Sequence, residues 1–312
     1  MIKMLTSILK KKYWILSITI CCTILLTSKH FMLQALNSAP LPINAQAALN
    51  SEPFSIKTKA IKVGFETHLP GIKYNKFAQS KDWDAISSKE SWMKHALITN
   101  KESHSGKKSL RITYPANMRS GGSAIWNLPS RSEYYLSYWV KFEDNFDFNG
   151  SKKSGGKLPG LGARDAAEDL CSGGKICTGD NGFSSRYMWR RNGRATLYLY
   201  HMNKPGRWGE TFDFEDKDGN KQYFQKGKWH HLIQRVKIND GNQSNGEVNV
   251  WMDGKQVLTI DKLKFVTNNQ GIDSLYFSTF HGGKTREWLP QREVYSYWDD
   301  FIISTNPADV GL

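Results

Sequence analysis

The chain has 312 residues, 39% hydrophobic and 12% aromatic, enough for one large all-β domain and too apolar for disorder throughout. Its formal net charge is +14; residues 1–29 carry five lysines and no acid, which leaves +9 on the remainder. That excess calls for a polyanionic partner, yet no helix-turn-helix pattern, zinc finger or RNA-binding aromatic signature is present, so the nucleic-acid-binding classes are excluded.

Residues 1–30 read as a signal peptide, or as a signal anchor if uncleaved. Lys3, Lys10, Lys11 and Lys12 form a basic opening, and the apolar run over 13–27 is short for a membrane span. Ala45-Gln46-Ala47 has the small-x-small form of a cleavage site but lies far from that run, and Cys21 lacks the small residue that a lipoprotein signal wants before it. Residues 31–60, with Ser38-Ala39-Pro40 and Ser51-Glu52-Pro53, read as a linker. A secreted or periplasmic protein is therefore expected, and an acidic glycan suits an exported basic protein better than nucleic acid does.

From 61 to 312 a single domain is expected, with short strand-like segments between Gly, Asn and Asp turns. Leu110, Ile112 and Tyr114 share one face of their segment; Leu136, Tyr138, Val140 and Phe142 share one face of the next. Val248, Val250 and Met252 alternate inward before Asp253-Gly254, which predicts a hairpin turn. Further segments follow at 274–281 and 295–304. Cys171 and Cys177, the only cysteines beyond the targeting segment, are candidates for a disulfide closing a small loop in an oxidising compartment. Their spacing without a nearby histidine cluster makes a poor zinc site.

Two segments carry candidate chemistry. In Gly155-Gly156-Lys157-Leu158-Pro159-Gly160 the lysine is expected in a rigid turn that fixes its ammonium. Over 183–202 two strands are joined around Asn192-Gly193. Ser184, Arg186 and Arg190 share one face of the first, and Thr196, Tyr198 and Tyr200 one face of the second. Tyr187, Trp189, Leu197 and Leu199 would pack inward, leaving the polar set on a solvent-facing surface. A two-residue turn would pair Arg186 with Leu199 and mix the faces. The apolar pattern demands an odd loop of three or five residues or a bulge, and Arg186 is expected opposite Tyr200 with Met188 opposite Tyr198.

Gly-Lys-Leu-Pro-Gly around Lys157, Ser184-Ser185-Arg186 and Tyr198-Leu199-Tyr200 resemble the motifs of the family-14 polysaccharide lyases, the alginate lyases and their relatives. The resemblance runs over about 96–304 and departs between Lys157 and Ser184, where the segment holding both cysteines looks like an insertion. Trp229-His230-His231-Leu232 and Trp251-Met252-Asp253-Gly254 resemble the concanavalin A-like jelly rolls. The resemblance implies an all-β sandwich of two antiparallel sheets with a concave substrate cleft. It also implies β-elimination on an acidic, uronate-containing polysaccharide, with alginate first and glucuronan or another exopolysaccharide next.

That chemistry explains the residue types. Removing the C5 proton of a uronate requires its carboxylate to be neutralised, a base at the proton and an acid at the departing C4 oxygen. Arg186 suits the carboxylate, helped by Ser184. Tyr198 and Tyr200 are candidates for base and acid, their ionisation eased by nearby cations, and Lys157 is a neutraliser or an alternative base. Arg190 and His281 are candidates for substrate binding, along with Trp208 and Trp288 for stacking on flanking sugars.

No cofactor or metal is expected, and the chain is expected to act as a monomer. A retaining glycoside hydrolase would need paired carboxylates on one strand, and Glu143-Asp144 and Asp299-Asp300 lack that spacing. His230-His231 places one ring in and one out, and the Asp216–Asn220 run fails the calcium-loop spacing and reads as a turn. A non-catalytic module for acidic polysaccharide remains the rival, distinguished by whether Lys157, Arg186 and Tyr200 converge on one point.

Overall fold

The computed structural model describes residues 59–312 except 84, 85, 151 and 284. The targeting segment, Ala45-Gln46-Ala47 and all but the last two positions of the expected linker lie outside the described residues.

The strands form two antiparallel sheets. One contains β1 (Ile61–Val63), β3 (Ala96–Thr99), β4 (Ser109–Tyr114), β6 (Glu133–Phe142), β11 (Trp229–Lys237), β12 (Gly246–Met252), β13 (Lys255–Leu263) and β15 (Val294–Ser304). Its order is β13-β12-β11-β6-β15-β4-β3, with β1 also paired to β15. The other contains β2 (Ile86–Trp92), β5 (Gly121–Arg131), β7 (Gly156–Ala163), β8 (Phe183–Trp189), β9 (Ala195–Tyr200), β10 (Glu210–Asp213) and β14 (Ile272–His281). Its order is β10-β9-β8-β7-β14-β5-β2.

Alternation decides what lies between the sheets. Leu110, Ile112, Tyr114, Leu136, Tyr138, Val140 and Phe142 face in from one side. Phe183, Tyr187, Trp189, Leu197, Leu199, Leu275 and Phe277 face in from the other, and all are buried in one cluster. Each such side chain contributes roughly 1.5–3 kcal/mol by leaving water. The hairpin turn expected at Asp253-Gly254 joins β12 to β13, both residues having positive φ (52° and 78°). A single α-helix among the described residues, α1 (Lys76–Asp82), is capped by Asn75, whose side chain accepts from the Ala78 N–H at 3.0 Å.

Three expectations change. Residues 156–160 form no turn; they open β7, which lies in the sheet interior between β8 and β14. A bulge makes this possible: register slips against both neighbours between Lys157 and Gly160, and Pro159, which has no N–H to donate, sits inside it. Gly160 lets the strands close up, since a Cβ there would lie 1.8 Å from the Ser185 carbonyl oxygen.

The β8–β9 loop has five residues, 190–194, as the apolar pattern allows. The register is two residues from the one expected: Arg186 faces Tyr198, Ser184 faces Tyr200 and Met188 faces Thr196. A short 3-10 turn, Arg191–Gly193, takes up the extra length with Asn192 and Gly193 at positive φ.

His281 is not at a cleft edge. It ends β14 on the inward side, packed against Tyr114, Phe146 and Trp189 with ring centres 5.3–5.7 Å away. Its substrate-binding role falls for a simple reason: strand parity places it with Leu275 and Phe277. Burial pushes its pKa down to about 4, so it packs as a neutral ring.

Candidate active site

On the outer face of the seven-stranded sheet, adjacent strands β7, β8 and β9 present Lys157, then Ser184, Arg186 and Met188, then Thr196, Tyr198 and Tyr200, with Arg190 in the loop just after β8. The Lys157 ammonium lies 3.4 Å from the centre of the Tyr198 ring and 2.8 Å from the Met188 sulfur. Arg186 is 3% exposed, its guanidinium 4.4 Å from the Tyr276 ring centre and donating to the Ser278 hydroxyl at 3.4 Å. Arg190 extends the row, donating to Thr211 at 2.7 Å with its guanidinium 6.0 Å from the Tyr198 ring.

Neither Lys157 nor Arg186 has a carboxylate within ion-pair distance among the described residues. The Arg186 Nε is buried with no hydrogen-bond partner. A buried, unpaired guanidinium donor is costly unless a ligand completes it, and a carboxylate is the group whose geometry matches it.

The cations and burial act on each other. Desolvation first, then the charges of Arg186 and Arg190, hold the Lys157 ammonium well below the usual lysine range, favouring the neutral amine. The expected easing of ionisation does not occur at Tyr198. Tyr198 is pushed up to about 12, by burial first and then by Tyr200, and the opposing pull of Arg186 is smaller. Tyr198 therefore keeps its proton near neutrality, as an acid must, and the lysine is the group prepared to accept one.

The polar face is not open to solvent as expected. Residues 164–182, between β7 and β8, fold back over it. Leu170 packs with Ile125 and Tyr276, and the Cys171–Cys177 disulfide packs with Met188, Tyr198 and Tyr200. The Ser184 hydroxyl donates to the Cys171 carbonyl at 2.9 Å, so it holds this segment and is not free for a sugar. The Tyr200 oxygen accepts from the Gly174 N–H at 2.8 Å and lies 3.5 Å from that of Tyr198. Tyr200 is 1% exposed and Tyr198 9%, both on the outer side of the sheet and outside the sandwich interior.

The structure thus gathers Lys157, Arg186, Arg190, Tyr198 and Tyr200, diverts Ser184 and removes His281. Met188, expected only as a register partner of Tyr198, joins the cluster, and Tyr276 and Ser278 join it unannounced. Period-2 alternation along β14 carried a signal for the latter two, since Ser274, Tyr276 and Ser278 oppose Leu275 and Phe277. Elsewhere, Asp216 forms a turn, its side chain accepting from the N–H groups of Asp218 and Asn220, and among the described residues no set of three or more His, Cys, Asp or Glu gathers as for a metal ion.

The polysaccharide lyase 14 family model matches residues 102–301. None of the curated protein sequences matches the chain. Among solved structures, the marine PL-14 alginate lyase from Aplysia kurodai is 26% identical with a TM-score of 0.65, the alignment covering 80% of this chain and 100% of that one. The alginate lyase Aly36B is 24% identical with a TM-score of 0.65, over 79% and 96%. The alginate lyase vAL-1 from Chlorella virus is 20% identical with a TM-score of 0.57, over 74% and 96%. All share the sandwich. The family match spans every residue of the cluster on β7, β8 and β9, and the chain belongs to polysaccharide lyase family 14, as a lyase on a β-jelly roll acting on an acidic polysaccharide.

Proposed function

We propose that the enzyme cleaves a uronate polymer, alginate before glucuronan, by β-elimination on the outer face of β7, β8 and β9. The observation that carries this reading is the buried Arg186 guanidinium, unpaired and with a free Nε, beside an amine and a phenol. Arg186 neutralises the uronate carboxylate through paired N–H donors, which makes the C5 proton acidic. The Lys157 amine, its charge disfavoured by burial and by two guanidiniums, takes that proton. Tyr198, opposite Arg186 in register, gives its proton to the C4 oxygen as the bond breaks and leaves an unsaturated uronic end. Arg190 holds a neighbouring sugar's carboxylate along the same face.

The basic-apolar opening of the sequence and the pairing of Cys171 with Cys177 support work outside the cytoplasm, in secreted or periplasmic form, or held at a membrane by an uncleaved signal.

The test is incubation of the mature protein with alginate, polymannuronate, polyguluronate and glucuronan, following the ultraviolet absorbance of unsaturated ends. Absorbance should rise with alginate and be lost in Tyr198→Phe. Binding to any of these polymers with no absorbance from all four would make the protein a binding module.

A further inference from the structure

Two glycine N–H groups, from two loops that cross the sheet, hold the two phenols. The Gly174 N–H donates to Tyr200 at 2.8 Å and the Gly209 N–H to Tyr198 at 3.2 Å. Both donors need glycine. Gly174 has φ +92°, and a Cβ there would lie 2.9 Å from the Trp208 ring. A Cβ on Gly209 would meet the rings of Tyr200 at 2.6 Å and Tyr198 at 2.9 Å.

The loops are also tied together, the Arg207 Nε donating to the Gly174 carbonyl at 3.1 Å. Gly174 lies within the loop closed by the Cys171–Cys177 disulfide, whose sulfur-bearing residues pack on Met188, Tyr198 and Tyr200. The Cys171 carbonyl is itself anchored to the sheet by Ser184 at 2.9 Å. Tyr200 is thereby fixed from three sides, and its oxygen lies 3.5 Å from the phenol of Tyr198.

We propose that the Cys171–Cys177 loop is a positioning element of the elimination site, acting through the Gly174 N–H on Tyr200 and through Tyr200 on the Tyr198 phenol. A phenol oxygen that accepts an N–H bond has its remaining lone pair and its own hydrogen confined to the other directions. Two phenols held this way present the Tyr198 hydrogen to the sugar at a fixed angle, and a proton transfer depends steeply on such alignment. Without the disulfide, the loop loses the constraint that keeps Gly174 over Tyr200, and Tyr198 loses its fixed neighbour.

The proposal rests on the lyase reading, and the experiment separates the two. Wild-type protein, oxidised, is assayed first on alginate, polymannuronate, polyguluronate and glucuronan; no unsaturated product from any of the four sinks the lyase reading itself. If product forms, the disulfide is removed in two ways, by reduction of the folded protein and by Cys171→Ala with Cys177→Ala, each checked for a retained thermal transition above the assay temperature. A fall in kcat of about tenfold or more is expected, with KM moving less than about threefold. In a Tyr200→Phe background, removing the disulfide should change the residual kcat by less than about twofold, because the route through the phenol is already gone.

Unchanged kcat on losing the disulfide would overturn the proposal. So would a loss carried mainly by KM, which would make the loop a cover for substrate. An undiminished further loss in Tyr200→Phe would overturn it too, since the loop would then act by another path.

Discussion

Lys157 combines a cost to the fold with a use in the reaction. Its ammonium sits against an aromatic face and a thioether, near two guanidiniums and with no carboxylate in ion-pair reach among the described residues. A lysine whose folded pKa is depressed binds its proton less well than the unfolded chain does. Folding is penalised below that folded pKa, and the penalty is relieved as pH rises towards the unfolded value. Lys157→Met keeps the stem's packing and removes the charge, and it should stabilise the protein by on the order of 1 kcal/mol, read as a raised Tm. The same substitution should cut kcat by roughly 100-fold or more. The pH profile follows from the same two groups: kcat/KM should climb through a pKa below 10.5, as the amine deprotonates, and fall only towards about 12, as Tyr198 loses its proton. A profile that falls as the amine deprotonates would take the base role from Lys157. The residue types of the site are legible in the sequence, because elimination demands a guanidinium, an amine and a phenol. Their ionisation is not legible, because it depends on residues 164–182 folding over them. The sequence presents the nearby cations, whereas burial of Tyr198 is the larger effect.

At the level of strands, β7 is where sequence reasoning falls short, and physically so. Gly and Pro flanking a lysine ordinarily mark a turn, yet here the bulge absorbs the proline and the glycines admit close neighbours. Gly160→Ala should therefore damage the fold, because its Cβ would lie 1.8 Å from a carbonyl oxygen and 2.7 Å from the Arg186 Cα. A loss of about 3 kcal/mol or more in denaturant unfolding is expected, with activity falling as β8 and Arg186 are displaced. A near-neutral result would show that β7 and β8 can separate without harm. In the β8–β9 hairpin, parity was readable because one wrong step turns Tyr187, Leu197 and Leu199 out of the core. The choice between three and five loop residues was not, since both keep the same faces inward. His281 shows the opposite lesson: alternation along β14 already placed it inside.

For the whole molecule, the two-sheet sandwich was readable from alternation and turn residues spread along the chain, signals that local sequence carries. The cover over the site was not, since it rests on contacts between distant parts of the chain, the Cys171–Cys177 disulfide packing on Met188, Tyr198 and Tyr200 and the Ser184 hydroxyl donating to the Cys171 carbonyl. Charge belongs to this scale as well. The sequence beyond residue 29 carries +9, and Arg190 lies beside the site as a partly exposed cation. A polyanionic substrate should be steered in, and KM for the polymer should rise several-fold between about 50 and 300 mM salt, where the screening length falls below about 10 Å. The kcat should change little over that range, since the groups that perform the chemistry are buried.

The most direct test is the mass of the oligosaccharides released from alginate by the purified protein. Elimination between Arg186, Lys157 and Tyr198 gives new non-reducing ends one water lighter than the corresponding hydrolysis products. Fragments bearing that unsaturated end, absent from an Arg186→Ala digest, are the expected result. Fully hydrated fragments, or lighter fragments that persist in Arg186→Ala, would contradict β-elimination at this site.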